Sequence, residues 1–135
     1  MGKKVAQRSG RLTRLSASDY GWIARAIKSA QQSTHRVRVG ASVVVAGRGH
    51  SAPNKFRNSA HIDWTQSTTH AEEAAIARAY RGGNGGTIFV ARIGKAGDLR
   101  ASHPCERCMP QIIKAGIKRV VYYDGNSWIS YKIML

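Results

Sequence analysis

THAEEAAIARA, residues Thr69 to Ala79, sets a histidine and a glutamate two positions apart at the head of an alanine-rich run. Alanine is the best helix former, so the run predicts a helix that starts beside His70 and Glu72. Alanine in their places would serve the helix better, which implies a task beyond it. A second stretch, SHPCERCMPQIIKAG from Ser102 to Gly116, holds both cysteines of the chain, spaced CxxC directly after Pro104. In the first turn of a helix, Cys105 and Cys108 would share one face, where free N–H groups favour thiolate over thiol. Two such sulfurs can hold one cation, and zinc, which accepts sulfur and nitrogen ligands, is the natural candidate.

A closed structural zinc site takes four protein ligands. This chain has two cysteines, and its five histidines, His35, His50, His61, His70 and His103, offer no pair at the usual spacing. With His70 as third ligand, a fourth position stays open for water, the arrangement of a catalytic zinc. Glu72 would then reach that water without being a ligand and could carry its proton to a leaving nitrogen. Taken singly, each part is ordinary. A histidine at a helix start is more often a cap, a first-turn glutamate complements the helix dipole, and CxxC also serves redox pairs. HxE heading one helix, then a strand, then PCxxC heading the next is far more specific.

The remaining chain supplies a frame. Ser16 with Asp19 forms a capping signal, and Trp22, Ile23, Ala26, Ile27 and Ala30 share one face of a predicted helix ending near Ser33. VGASVVVAG, residues 39–47, reads as a buried strand, and Gly47, Arg48 and Gly49 as a turn into a second strand ending near Asn54. Lys55 to Thr68 is polar and irregular, long enough for a functional loop. The alanine helix should run to about Arg81, where GGNGG stops it; glycines that follow a helix make a poor phosphate cradle. TIFVARI, residues 87–93, predicts a third strand. The cysteine helix should end near Ala115, followed by strands in KRVVYYD and GNSWISYKI that pair antiparallel through the Asp124–Gly125–Asn126 turn. The expected order is αββαβαββ, an α/β fold with helices packed on a five-stranded mixed sheet.

A chain of 135 residues suits one domain. Residues 1–15 read as a flexible basic arm carrying Lys3, Lys4, Arg8, Arg11 and Arg14, and residues 16–135 as the domain proper. No apolar run approaches the roughly 18 to 20 residues that cross a bilayer, and the first residues lack a signal-peptide core, so no membrane association and a cytoplasmic location are expected. Two cysteines there suggest metal or redox chemistry rather than a disulfide framework. With 22 Lys and Arg against 7 Asp and Glu, the net charge of +15 attracts phosphates, whether of a mononucleotide, RNA or DNA.

From Val39 to about Asp124 the chain resembles the zinc-dependent cytidine and deoxycytidylate deaminase superfamily, whose signature is H-x-E with P-C-x-x-C. VGASVVVAGRGHSAPN is similar to that family's first hairpin, and IIKAGIKRVVYY to its return into the fourth strand. The resemblance implies a three-layer α/β/α sandwich, Zn2+ on His70, Cys105 and Cys108, and Glu72 as the catalytic proton carrier. It also implies substrate binding by Asn54 at the sugar, Ala41 at the pocket floor, the main-chain carbonyl of Ala71 at the exocyclic amine, and Pro104. His70 is the ligand type of the deoxycytidylate and polynucleotide-editing branches, whereas the antiparallel final hairpin resembles the free-nucleoside branch. The implied reaction converts a cytosine nucleoside or nucleotide (cytidine, deoxycytidine or dCMP) to its uracil form with release of ammonia; the chain's positive charge would then serve the phosphate of a mononucleotide, with Lys55 and Arg57 beside Asn54 as candidate contacts. The alternative is a polynucleotide deaminase acting on cytosine or adenine in single-stranded DNA or RNA, with Phe56 or Trp64 stacking on a neighbouring base. A silent zinc protein that only binds nucleic acid is a third reading, against which Glu72 argues. The resemblance further implies a homo-oligomer, dimer or tetramer, with the apolar ISYKIML segment as an interface strand.

Overall fold

The computed structural model describes residues 10–34, 37–56 and 68–133. Helix α1 (Ala17–Gln31) begins as the sequence signals: Ser16 Oγ accepts the Asp19 N–H, and Asp19 Oδ2 accepts the Ser16 N–H at 2.8 Å. Strands β2 (Arg38–Val45) and β3 (Arg48–Pro53) form the first hairpin. Its turn falls on Ala46 and Gly47, both with positive φ, one residue before the expected position, because two left-handed residues match the twist of the flanking strands. Two short strands, β4 (Lys55–Phe56) and β5 (Thr68–Thr69), pair with each other and lead into helix α2 (Ala71–Arg78). Next come β6 (Thr87–Ile93), β7 (Leu99–Arg100), helix α3 (Cys108–Lys114), β8 (Arg119–Tyr123) and β9 (Trp128–Ile133).

The main sheet has seven strands rather than the expected five. The additions are β7, on the end of β6, and β1 (Gly10–Thr13), which opens the chain order and pairs antiparallel with β9. The path across the sheet is β1-β9-β8-β6-β2-β3. Strands β6 and β8 are parallel, joined over the face by α3, and the β8–β9 pairing is antiparallel as expected. The anticipated αββαβαββ order is thus interrupted by β1, β7 and the β4–β5 ribbon. Gly10–Thr13, assigned from sequence to a flexible arm, belongs to the domain. Its one apolar residue, Leu12, is exposed, so the strand is held by ladder bonds and by Thr13 Oγ1 against Ser130 Oγ at 2.7 Å, which leave no hydrophobic period to read. Both edges of β9 are therefore occupied, so residues 129–133 of the segment expected as an interface strand belong to an inner strand of the sheet, and Met134 and Leu135 lie outside the described residues.

Strand parity separates two apolar layers. Val43, Ile88, Val90 and Val120 face α2 and α3 through Ala75, Cys108 and Ile112, while Phe89, Ala91 and Val121 face α1 through Ile23 and Ala26. Burial of both sheet faces explains the unbroken Val43–Val45 run. Helix α2 stops at Arg78, three residues short of the expected end. Ala79 is extended, and Arg81 and Gly82 have positive φ, so the chain leaves the helix before the glycine run is complete.

Helix α1 crosses β2 at Gly40, where a Cβ would overlap the main chain of Ala26 and Ala30. Gly21, on the same helix, faces open space. Gly40→Ala should therefore destabilise the domain by about 2 kcal/mol or more through overpacking, whereas Gly21→Ala should stabilise it by roughly 0.5–1 kcal/mol. Urea unfolding of the two variants checks both signs.

Candidate functional site

Residue 54 and residue 70 are brought together by the ribbon between them. Lys55 pairs with Thr69 and Phe56 with Thr68, so one step further along that register stand Asn54 and His70. Asn54 is buried and firmly held: its Oδ1 accepts from Val39 N at 2.9 Å and from Ser33 Oγ at 2.6 Å, and its Nδ2 donates to Val37 O at 2.6 Å. The amide thereby fastens the end of the first hairpin to the start of β2.

His70 precedes α2 in an extended conformation, its carbonyl accepting the Ala74 N–H and its own N–H donating to Glu73 Oε1 at 3.2 Å. Its Nδ1 lies 3.1 Å from Cys108 Sγ and 3.4 Å from Cys105 Sγ, and the three donor atoms all lie within 4.8 Å of one another. The edges of a zinc tetrahedron with bonds of about 2.0–2.3 Å are roughly 3.5–3.8 Å, so the set fits this ion with small shifts. Helix α3 begins at Cys108, not at Cys105; the Cys105 carbonyl instead accepts the N–H groups of Cys108 and Met109, which curls CxxC around the site. Burial, with Glu72 and Cys105 adding negative charge, pushes the Cys108 thiol well above its ordinary range. A divalent cation is what displaces that proton and makes the fully buried sulfur a ligand.

Glu72 is 5% exposed and lies in the wall of the same cleft. Burial raises its carboxyl above the usual carboxylate range, partly offset by its backbone N–H and Cys108. The cleft is about 300 Å3, and Asn54, His70, Ala71, Glu72 and Cys105 all line it. Pro104 is buried next to it, its carbonyl accepting from His103 Nδ1 at 2.8 Å, while the His103 ring, packed edge-on against Tyr122, forms part of the wall. Ala41 is not in the wall: it is fully buried in the core opposite Val90, and Val39, two residues nearer the strand's start on the same face, takes the lining position. Only the backbone pairing of Lys55 and Phe56 is described, and Arg57 and Trp64 lie outside the described residues.

Three positions escaped the sequence reading. Glu73 joins the two motifs: its carboxylate takes the His70 N–H, pairs with Arg107 Nη2 at 2.8 Å and accepts from Gln111 Nε2 at 3.1 Å. Burial raises this carboxyl, but Gln111, His70 and Arg107 outweigh burial and hold it below the ordinary range. The signal was the second glutamate of HAEE and the arginine inside CERC. Ser102 is the next. Its Oγ donates to Val90 O at 2.7 Å and accepts from Tyr123 N at 2.9 Å, fixing the approach to Cys105 between the ends of β6 and β8. Arg92 also lines the cleft, and its parity with Ile88 and Val90 could have revealed it.

Residues 17–124 match the family model described as the cytidine and deoxycytidylate deaminase zinc-binding region. No curated protein matches the chain. Among solved structures, the fold is similar to a cytidine deaminase from Burkholderia pseudomallei (TM-score 0.64, 19% identity, covering 88% of this chain and 93% of that one). It is also similar to the cytidine deaminases of Mycobacterium tuberculosis (TM-score 0.54, 22% identity, covering 78% and 84%) and Mycobacterium leprae (TM-score 0.54, 21% identity, covering 78% and 87%).

Cys105→Ala or Cys108→Ala should each abolish stoichiometric zinc binding. Glu73→Ala, which touches no metal, should weaken it about ten- to a hundred-fold by freeing both motifs. Competition with a chromogenic chelator measures all three, and wild-type affinity in Glu73→Ala would deny that residue its clamping role.

Proposed function

We propose a cytosine nucleoside or nucleotide as the substrate, proceeding from the fact that this chain belongs to the cytidine and deoxycytidylate deaminase family through its zinc-binding region. The protein is a zinc-dependent hydrolytic deaminase acting on carbon–nitrogen bonds. In our reading it converts cytidine, deoxycytidine or dCMP to the uracil form. The observation that carries this is Glu72, buried in a cleft that also exposes His70 and Cys105.

Zinc held by His70, Cys105 and Cys108 supplies the acidification that makes water a nucleophile near neutral pH. Glu72 does the proton work. As the water oxygen adds to the amine-bearing ring carbon, Glu72 takes a proton from the water and delivers it to the adjacent ring nitrogen. A second transfer through the same carboxyl goes to the amine, the carbon–nitrogen bond breaks, ammonia departs and a carbonyl remains. The raised proton affinity that burial gives Glu72 suits a group that must both accept and donate. Asn54, whose Nδ2 has one hydrogen beyond its bond to Val37, meets the sugar, and Ala71 and Pro104 bound the amine end of the ring. Asn54 thus doubles as a structural clamp and a ligand contact.

The net charge of +15 favours a second reading, in which single-stranded nucleic acid is the substrate. Ammonia release measured on nucleosides, mononucleotides and single-stranded oligonucleotides tests the two. The first reading expects turnover of a free cytosine compound, with an affinity that falls only a few-fold between about 50 and 200 mM salt, because one or two phosphate charges are neutralised. Turnover confined to oligonucleotides, with losses of roughly a thousand-fold over that range, would establish the second instead. In either case Glu72→Gln should retain zinc while losing about 100- to 10,000-fold in rate.

A further inference from the structure

Resting on the reading of the cleft as a cytosine site, we propose that Arg92 is an anion-binding residue at its mouth, which selects a nucleoside monophosphate over the free nucleoside. Parity places it there. Ile88 and Val90 point from β6 into the layer beneath α2 and α3, and Arg92 follows on the same face as an exposed residue of the cleft wall. It stands two residues, roughly 7 Å, outward of Val90. A sugar ring separates base from phosphate on a similar scale.

The neighbours indicate which part of a ligand would meet it. Val39 is the cross-strand partner of Arg92 on β2, and the Val39 N–H is bonded by Asn54, the proposed sugar contact. A group attached to a sugar held at Asn54 therefore lies one strand from the guanidinium. Three arginines gather at this end of the sheet, and two are engaged: Arg38 Nη2 donates to Gly94 O at 2.7 Å, and Arg100 Nε pairs with Asp98 at 2.7 Å. Among the described residues the Arg92 side chain has no hydrogen bond or ion pair, although it sits on an otherwise apolar stripe. With Lys95 nearby in sequence and Asp98 already paired, the rim carries an excess of positive charge. A planar guanidinium with several donors suits a phosphate, which it can grip through two parallel bonds.

The experiment uses zinc-loaded full-length protein carrying Glu72→Gln, so that ligands survive, and titrates cytidine, CMP, dCMP, a single-stranded oligonucleotide and inorganic phosphate by calorimetry. A monophosphate should bind about ten- to a hundred-fold more tightly than its nucleoside, the scale of a charge-assisted hydrogen bond. Arg92→Gln should bring that ratio close to one, and Arg92→Lys should restore part of it. The proposal is overturned if cytidine and CMP bind alike with Arg92 present, or if Arg92→Gln weakens both equally, which would assign Arg92 to the base or the sugar. It is also overturned if a single-stranded oligonucleotide is the sole ligand. If no cytosine compound binds while inorganic phosphate does so in an Arg92-dependent way, the anion site stands and the cytosine reading falls.

Discussion

Holding one imidazole nitrogen against two cysteine sulfurs requires two distant parts of the chain to arrive at a single point, and much of the architecture serves that meeting. The β4–β5 ribbon delivers His70 beside Asn54. On the other side, Ser102 stitches the approach to Cys105 between β6 and β8. Glu73 then spans the two, with one oxygen on the His70 N–H and Arg107 and the other on Gln111. None of these ties touches the metal position, yet each fixes the direction from which a ligand approaches it. Cys108 shows why such rigidity is needed: a fully buried sulfur that burial keeps protonated becomes a ligand only when the cation is close enough to offset that penalty.

The charge balance follows from the same arrangement. The chain has only 7 acidic residues, and the structure commits several of them locally. Asp19 caps α1 and receives Arg119 from β8; burial raises its carboxyl, but Arg119 and Ser16 outweigh that and hold it low. Glu73 binds Arg107, Asp98 binds Arg100, and Asp124 Oδ1 accepts the Asn126 and Ser127 N–H groups in the turn before β9. Glu72 is inside the cleft. What reaches the solvent as long-range field is therefore overwhelmingly cationic, which favours anionic ligands before any specific contact forms.

Elements with a strong local signature were legible in the sequence. The capping box of α1, the valine run of β2, TIFVARI and the β8–β9 hairpin each combine period, burial and turn residues, and all are found near their expected bounds. The metal cluster was legible because zinc chemistry restricts residue type and spacing together. What escaped has no such redundancy. Strand β1 offers one exposed leucine and four residues, β7 only two, and neither carries a hydrophobic period that marks it as a strand. The early end of α2 comes at Ala79, an extended alanine whose residue type favours the helix it ends. Ala41 was one pleat too deep, an error that the hairpin register resolves and the residue's type could not.

Two features that resemble different branches of the family coexist here without conflict because they occupy different parts of the sheet. The histidine ligand depends on how α2 begins, which is fixed by β5 and Glu73. The antiparallel hairpin depends on the Asp124–Ser127 turn and on β9 fitting between β8 and β1. Neither set of contacts includes a residue of the other, so a change in one leaves the other's energetics intact. In our reading neither the ligand type nor the closing hairpin decides the substrate, and the cleft wall does: there β2 and β6 run side by side, and the lining passes from apolar Val39 through polar Asn54 to charged Arg92.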